Sequence, residues 1–150
     1  MIILKTILVI ASFASMEFIA WLTHKYIMHG PLWFIHKDHH QKNDNRFLEL
    51  NDIFAIIFAV PGILLLLWGV SSGLDNVFFW IGLGISLYGL AYFAAHDIFI
   101  HQRIKLLRNS NRKYFLAMRR AHKIHHKHLE KENGECFGFL LVPKKYFDEI

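Results

Sequence analysis

Cysteine, proline and charge are scarce in this 150-residue chain, and each scarcity removes a class of function. A single thiol, Cys136, rules out an intramolecular disulfide and any C-x-x-C metal or redox motif. There is no G-x-G-x-x-G, no P-loop, no C-x-x-C-H and no solenoid-type repeat, so no nicotinamide, flavin or haem site is visible. Electrons for any redox reaction would therefore have to come from another protein. The net charge of +5 raises the question of nucleic acid, but no recognition motif accompanies it and membrane topology accounts for the same charges.

What the chain has in excess is apolar surface. Hydrophobic residues make up 54%, far more than a soluble core of this size needs, and they lie in long runs. Residues 2–22, 53–70 and 77–95 each approach the ~20 residues that cross a bilayer, which predicts three membrane-spanning helices. The first run carries Glu17 near its end and no clear A-x-A site follows it, so it is expected to be a retained span and not a cleaved signal peptide. The turn SSGLDN between the second and third runs has no Lys or Arg, whereas residues 101–131 hold most of the positive charge. The positive-inside rule then places the C-terminal segment and the loop from His24 to Asp52 in the cytoplasm, and the lone thiol suits that reducing side. The predicted fold is an all-α integral membrane protein forming a single domain, 1–150, in the inner membrane. It has three spans and an amphipathic cytoplasmic helix within YFLAMRRAHKIHHKH.

Histidine is the second excess. Ten of the eleven histidines fall into a pattern that occurs twice: H-x4-H at His24/His29 and His96/His101, and H-x2-HH at His36/His39/His40 and His122/His125/His126. Only His128 stands outside it. On a helix, positions i, i+3 and i+4 lie within about 100° of arc, so an H-x2-HH triplet turns three imidazoles one way. Positions i and i+5 diverge by roughly 140°, so H-x4-H requires a helix end or a bulge, and Gly30-Pro31 offers an end after His29. Ten nitrogen donors exceed what one ion holds and match two metals with about five each. Imidazole-rich sites with open positions favour iron, while donor type alone leaves zinc, copper and manganese open. All four clusters fall on the same predicted membrane face.

Around these clusters, Glu17, Asp52, Tyr92 and Asp97 are candidates to sit behind a ligand and orient it, with Asp38, Glu49 and Asn51 also within the loop. Asp38 points off the imidazole face and is expected to be solvated. Tyr88 and Tyr92 precede His96 at four-residue steps, placed either to line a route to the metals or in an interfacial aromatic belt. The apolar tail CFGFLLVP is too short to span and is expected to cap the site or touch substrate. A metal transporter or sensor is the competing class, but beyond Lys5 and Glu17 the spans carry almost no charge to form an ion path.

HKYIMHGPLWFIHKDHH, AHDIFIHQR, AHKIHH and FGFLLVP resemble, in order and spacing, the bacterial β-carotene 3-hydroxylases of the fatty acid hydroxylase superfamily. The likeness runs over nearly the whole chain. It implies a non-haem di-iron monooxygenase that uses O2 and electrons from an external donor, ferredoxin with its reductase, to hydroxylate β-ionone rings of a carotenoid held in the bilayer. It also implies that the ten patterned histidines are the metal ligands. The histidine pattern is shared with hydroxylases and desaturases of fatty acids, sterols and alkanes, so the longer matches carry the carotenoid assignment.

Overall fold

The computed structural model describes residues 1–41, 48–106 and 109–148, so part of the polar stretch after His40 and part of the basic connection after His101 lie outside the described residues. Those residues form five α-helices and no strand. The helices are α1 (Ile2–Thr23), α2 (Trp33–His40), α3 (Ile53–Ser71), α4 (Val77–Phe93) and α5 (Lys113–His125). With their extensions, Ile2–Met28, Leu50–Ser71 and Val77–Ile100 are long and apolar enough to cross a membrane. Between their polar ends these three are mostly apolar on every face, and Ile3, Ile7, Ile10, Ile56, Ile63, Leu67, Leu87 and Leu90 stand exposed along them. Water would not tolerate such surfaces over two helices' length, whereas lipid does. This is a multi-pass membrane protein.

α4 lies in the middle and packs on both α1 and α3. Glycines allow that approach. A Cβ at Gly84 would fall 2.0 Å from Ser12 Oγ and 2.5 Å from Val9 O on α1, and one at Gly82 would fall 2.8 Å from Leu66 N on α3. Lipid gives no hydrophobic drive between spans, so this close backbone packing is the main source of cohesion. α3 runs unbroken through Pro61, with Gly62 against Ile85. At the end remote from the histidines, Lys5 pairs with Asp75 at 2.5 Å and Asn76 caps α4 through Phe78 N.

Both H-x4-H pairs sit on π-helical turns that extend α1 and α4, His24–Met28 and Ala94–Ile100. His29 N donates to His24 O at 3.0 Å and His101 N to His96 O at 2.8 Å, the five-residue bond of a π turn. That widening brings residues five apart onto one face. The spacing requirement is thus met by a bulge in both copies, and the first pair does not need the helix end at Gly30-Pro31.

The span packing makes a testable distinction between two glycines of one helix. Gly84→Leu should separate α1 from α4 and cost about 2 kcal/mol or more, read as a lower unfolding midpoint in detergent. Gly89→Ala, whose Cβ meets nothing within 4 Å, should stay within about 0.5 kcal/mol of the parent.

Candidate metal centre

The C-terminal ends of α1 and α4, the N-terminal end of α3, and α2 and α5 all deliver side chains to one end of the bundle. Nine of the ten patterned histidines form two groups there: His24, His29, His36, His40 and His125, and His39, His96, His101 and His122. Within each group one donor atom per residue lies within 4.8 Å of the others. His126 sits between the groups, with ring centroids 4.5 Å from His122, 4.6 Å from His40 and 4.7 Å from His39. Neither group is local in sequence, since α2 contributes to both: His36 and His40 turn to one, His39 to the other.

Seven of the rings are held from behind. Nδ1 of His24 donates to Phe137 O at 2.9 Å, His29 to Lys131 O at 3.1 Å, His40 to His128 O at 2.8 Å and His125 to Glu135 O at 2.9 Å. His36 Nδ1 meets Asn51 Oδ1 at 2.6 Å, His39 Nδ1 meets Glu49 Oε2 at 2.7 Å and His96 Nδ1 meets Asp97 Oδ2 at 3.2 Å. An oxygen acceptor fixes the proton on Nδ1, which leaves Nε2 with a lone pair. These lone pairs converge: Nε2 of His24 and His36 are 3.1 Å apart, His36 and His40 3.2 Å, and His39 and His96 3.1 Å. No proton remains to bridge them, so a cation is the partner that satisfies both. Among the described residues, Nε2 of His29, His125 and His126 are also buried without a hydrogen-bond partner. The donor set fits a metal site.

Burial keeps the rings neutral and so able to bind. It lowers the pKa of His36 to about 3, His40 to about 4 and His125 to about 2, with neighbouring imidazoles adding to the effect. His29, His39, His122 and His126 are lowered for the same first reason.

The carboxylates behind the second group are themselves organised. Arg103 reaches Glu49 at 3.0 Å, Asp52 at 2.8 Å and Asp97 at 3.2 Å, joining the start of α3 to the end of the third span. Gln102 adopts a left-handed conformation (φ 53°) that folds Arg103 back, and Arg103 N donates to Asp97 O. Asp52 touches Arg103 and Glu49 N but no imidazole among the contacts described. Asp38 is not a solvated charge: it accepts from Leu50 N at 2.5 Å and Asn51 N at 3.4 Å, and thereby sets the turn carrying Glu49 and Asn51. Tyr92 stacks on His96 at 4.9 Å and 17°. Tyr88 is buried and donates to Glu17 at 2.8 Å, so it is no interfacial belt residue. Among the described contacts Glu17 meets no histidine. It accepts from the backbone N–H groups of Phe139, Leu140 and Leu141 instead.

Arg103 and the four carbonyls of residues 128–137 were missed by sequence reasoning. Arg103 had a faint signal, a cation two residues after the second H-x4-H. Backbone carbonyls have none. A cavity of about 340 Å³ lined by His39, His40, His101, Arg119, His122, Lys123 and His126 opens beside the second group.

Two measurements probe this arrangement. Glu49→Gln should weaken metal binding about 10–100-fold in competition with a chelator, and Asp52→Asn should do less. The second concerns pH. An unfolded histidine takes up its proton near pH 6.5 while these buried rings resist until about pH 4 or lower, so the unfolded state binds more protons in between and stability falls as pH falls. Chelator-stripped protein should therefore show a markedly lower denaturation midpoint at pH 5.5 than at pH 7.5. Equal midpoints would mean that the rings are not held neutral.

Comparison with known proteins agrees with this geometry. The fatty acid hydroxylase family model matches residues 9–147. A β-carotene hydroxylase of Paracoccus sp. (strain PC1) is 38% identical over 138 residues, covering 91% of this chain and 83% of that protein. The β-carotene hydroxylase of Pantoea ananas is 40% identical over 139 residues, covering 93% and 78%. The chloroplastic β-carotene hydroxylase 2 of Capsicum annuum is 42% identical over 133 residues, covering 87% of this chain but 42% of the plant protein. No solved structure matches. Three spans, two imidazole groups at one bundle end and a match over nearly all of its length make this chain a member of the fatty acid hydroxylase family.

Proposed function

We propose that this protein is an O2-dependent monooxygenase that hydroxylates carbon 3 of carotenoid β-ionone rings, converting β-carotene to β-cryptoxanthin and then zeaxanthin. The observation that carries the reading is the pair of converging imidazole groups in a chain whose relatives are named β-carotene hydroxylases. The name β-carotene 3-hydroxylase of the Gentiana lutea relative, 41% identical over 133 residues, supplies the position on the ring. All ten patterned histidines are proposed as ligands of two irons, His126 completing the second group, in a single domain.

Each hydroxylation consumes the C–H bond, one O2, two electrons and two protons, and yields the alcohol and one water. Two bound irons would supply the activation of O2 that this requires. The chain's own part is orientation and exclusion. Carbonyls of residues 128–137 aim four rings of the first group, while Asn51, Glu49 and Asp97 aim His36, His39 and His96. Phe139, Tyr92 and Phe54 wall the site on its apolar side, so that a hydrocarbon arriving from the bilayer meets no water there.

Positive charge on α5 and its flanks supports a cytoplasmic site in the inner membrane and an acidic external donor such as ferredoxin, supplied by its reductase. Of the cations on α5 beside the cavity, Arg119 lies 4.2 Å over the Phe99 ring and donates to Phe99 O. Lys123, at the mouth of the 340 Å³ cavity, is the better placed of the two for docking.

Expression in cells that accumulate β-carotene, followed by pigment extraction and elemental analysis of purified protein, tests the reading. Zeaxanthin and about two iron atoms per chain are expected. His125→Ala should abolish turnover, whereas His128→Ala should retain most of it, because residue 128 contributes its carbonyl and not its ring to His40. Unchanged pigment with iron-loaded protein would sink the carotenoid assignment, and one tight zinc in active protein would sink the di-iron one.

A further inference from the structure

Glu17 is a carboxylate in the membrane-spanning part of α1, 6% exposed, and the reaction makes no direct demand on it. Such a group is costly in lipid unless its acceptor capacity is filled. Here it is filled from two other elements. Oε1 accepts from Phe139 N at 3.0 Å, Leu140 N at 2.9 Å and Leu141 N at 3.0 Å, and Oε2 accepts from Tyr88 of α4 at 2.8 Å. A side chain on Gly138 would fall 3.3 Å from the same Oε1, so this part of the segment is drawn tight onto the carboxylate. Tyr114 of α5 then donates to Leu140 O at 2.6 Å, closing the segment from its other side.

What this anchoring fixes is the Phe139 ring. It lies parallel to His24 of the first group, at 5.3 Å and 6°, and edge-on to His96 of the second group at 5.5 Å and 86°. Tyr92 meets it edge-on at 4.5 Å. Phe139 thus touches both imidazole groups from the side of the apolar cluster of Met16, Ala20 and Tyr88, the side that faces the interior of the bundle. On the hydroxylase reading, a substrate carbon that reaches both groups from this apolar side would meet the Phe139 ring.

We propose that Phe139 is a specificity-determining residue, setting which ring carbon is presented to the metal centre, and that Glu17 is a positioning residue acting through it. This rests on the hydroxylase reading above. Three N–H groups on one carboxylate oxygen define the position of the segment more tightly than apolar packing does, because hydrogen bonds fix both distance and direction. Positional selectivity among neighbouring C–H bonds of one ring needs placement to within a fraction of a bond length, the kind of placement a ring clamped between two imidazole groups provides.

The test uses the full-length protein in membranes containing β-carotene. Products of parent, Phe139→Ala, Phe139→Leu, Glu17→Gln and Glu17→Ala are resolved by the carbon oxidised, with iron per chain measured on each. Phe139→Ala at undiminished iron should raise the share of products oxidised at carbons other than 3 by roughly tenfold, the scale on which misplacement redistributes a reaction. Phe139→Leu should give a smaller rise. Glu17→Ala should shift products in the same direction, and Glu17→Gln, which keeps an acceptor oxygen in place, should restore most of the selectivity. Independently of turnover, amide exchange at Phe139, Leu140 and Leu141 should quicken about tenfold or more in Glu17→Ala, the effect of losing their shared hydrogen-bond acceptor. Exclusive oxidation at carbon 3 in an iron-loaded Phe139→Ala variant would overturn the proposal. So would loss of iron in both Phe139 variants, which would make the ring a packing partner of the histidines only. If the parent itself leaves β-carotene unaltered, the function reading fails and takes the selectivity role of Phe139 with it, whereas unquickened amide exchange in Glu17→Ala overturns the positioning role of Glu17 separately.

Discussion

Everything at the polar end of this bundle depends on one small constraint, the position of a proton on each imidazole. A histidine free to exchange tautomers presents a donor as readily as a lone pair. Seven of the rings lose that freedom because an oxygen stands behind Nδ1. The lone pairs are then aimed inward against one another, a conformation that three spans and two polar helices must be held in place to maintain. Neighbouring donor atoms aimed at one another repel, and attraction to a shared cation would offset that repulsion. The fold and the metal site are therefore two descriptions of the same balance of forces.

The legible part of this was periodic or chemical. Three apolar runs, the H-x2-HH triplets and the shared membrane face follow from helix geometry and from the distribution of Lys and Arg, and the spans fall where the runs predict. The H-x4-H spacing announced a departure from the α-helix, though not which one, because a bulge and a helix end satisfy the same angular requirement. Less legible were the groups behind the rings. Glu49 and Asn51 stood among several polar residues of one loop, and choosing between them and Asp52 needs the turn that Asp38 creates by binding two backbone N–H groups. Carbonyls of His128, Lys131, Glu135 and Phe137 were beyond reach, since a carbonyl oxygen is the same at every residue and only the path of the chain selects it. That path includes left-handed residues at Asn133 and Cys136, and a cysteine in that conformation is not foreseen from its identity.

The two imidazole groups differ in what lies behind them. Backbone carbonyls and the Asn51 amide, all neutral, support the first. Carboxylates support His39 and His96 in the second, tied by Arg103 into a cluster of three anions and one cation among the described residues. A carboxylate draws an imidazole proton more strongly than a carbonyl does and makes the opposite nitrogen a better donor. Two cations of one element bound here would thus experience unequal fields, although the histidine pattern that encodes their positions is repeated almost without change.

The interleaving of the two groups also dictates an order in time. His24, His29, His36 and His40 emerge early, but their fifth member is His125; His39 waits for His96, His101 and His122. Neither group is complete until α5 has left the ribosome and the second and third spans are in the bilayer, and the oxygens that aim the first group lie later still, at residues 128–137. Early capture of a metal by the first H-x4-H and H-x2-HH would give a coordination shell short of its last donor and of its orienting carbonyls. Synthesis from the N-terminus therefore delivers the last donors and the orienting carbonyls only after all three apolar spans have been made.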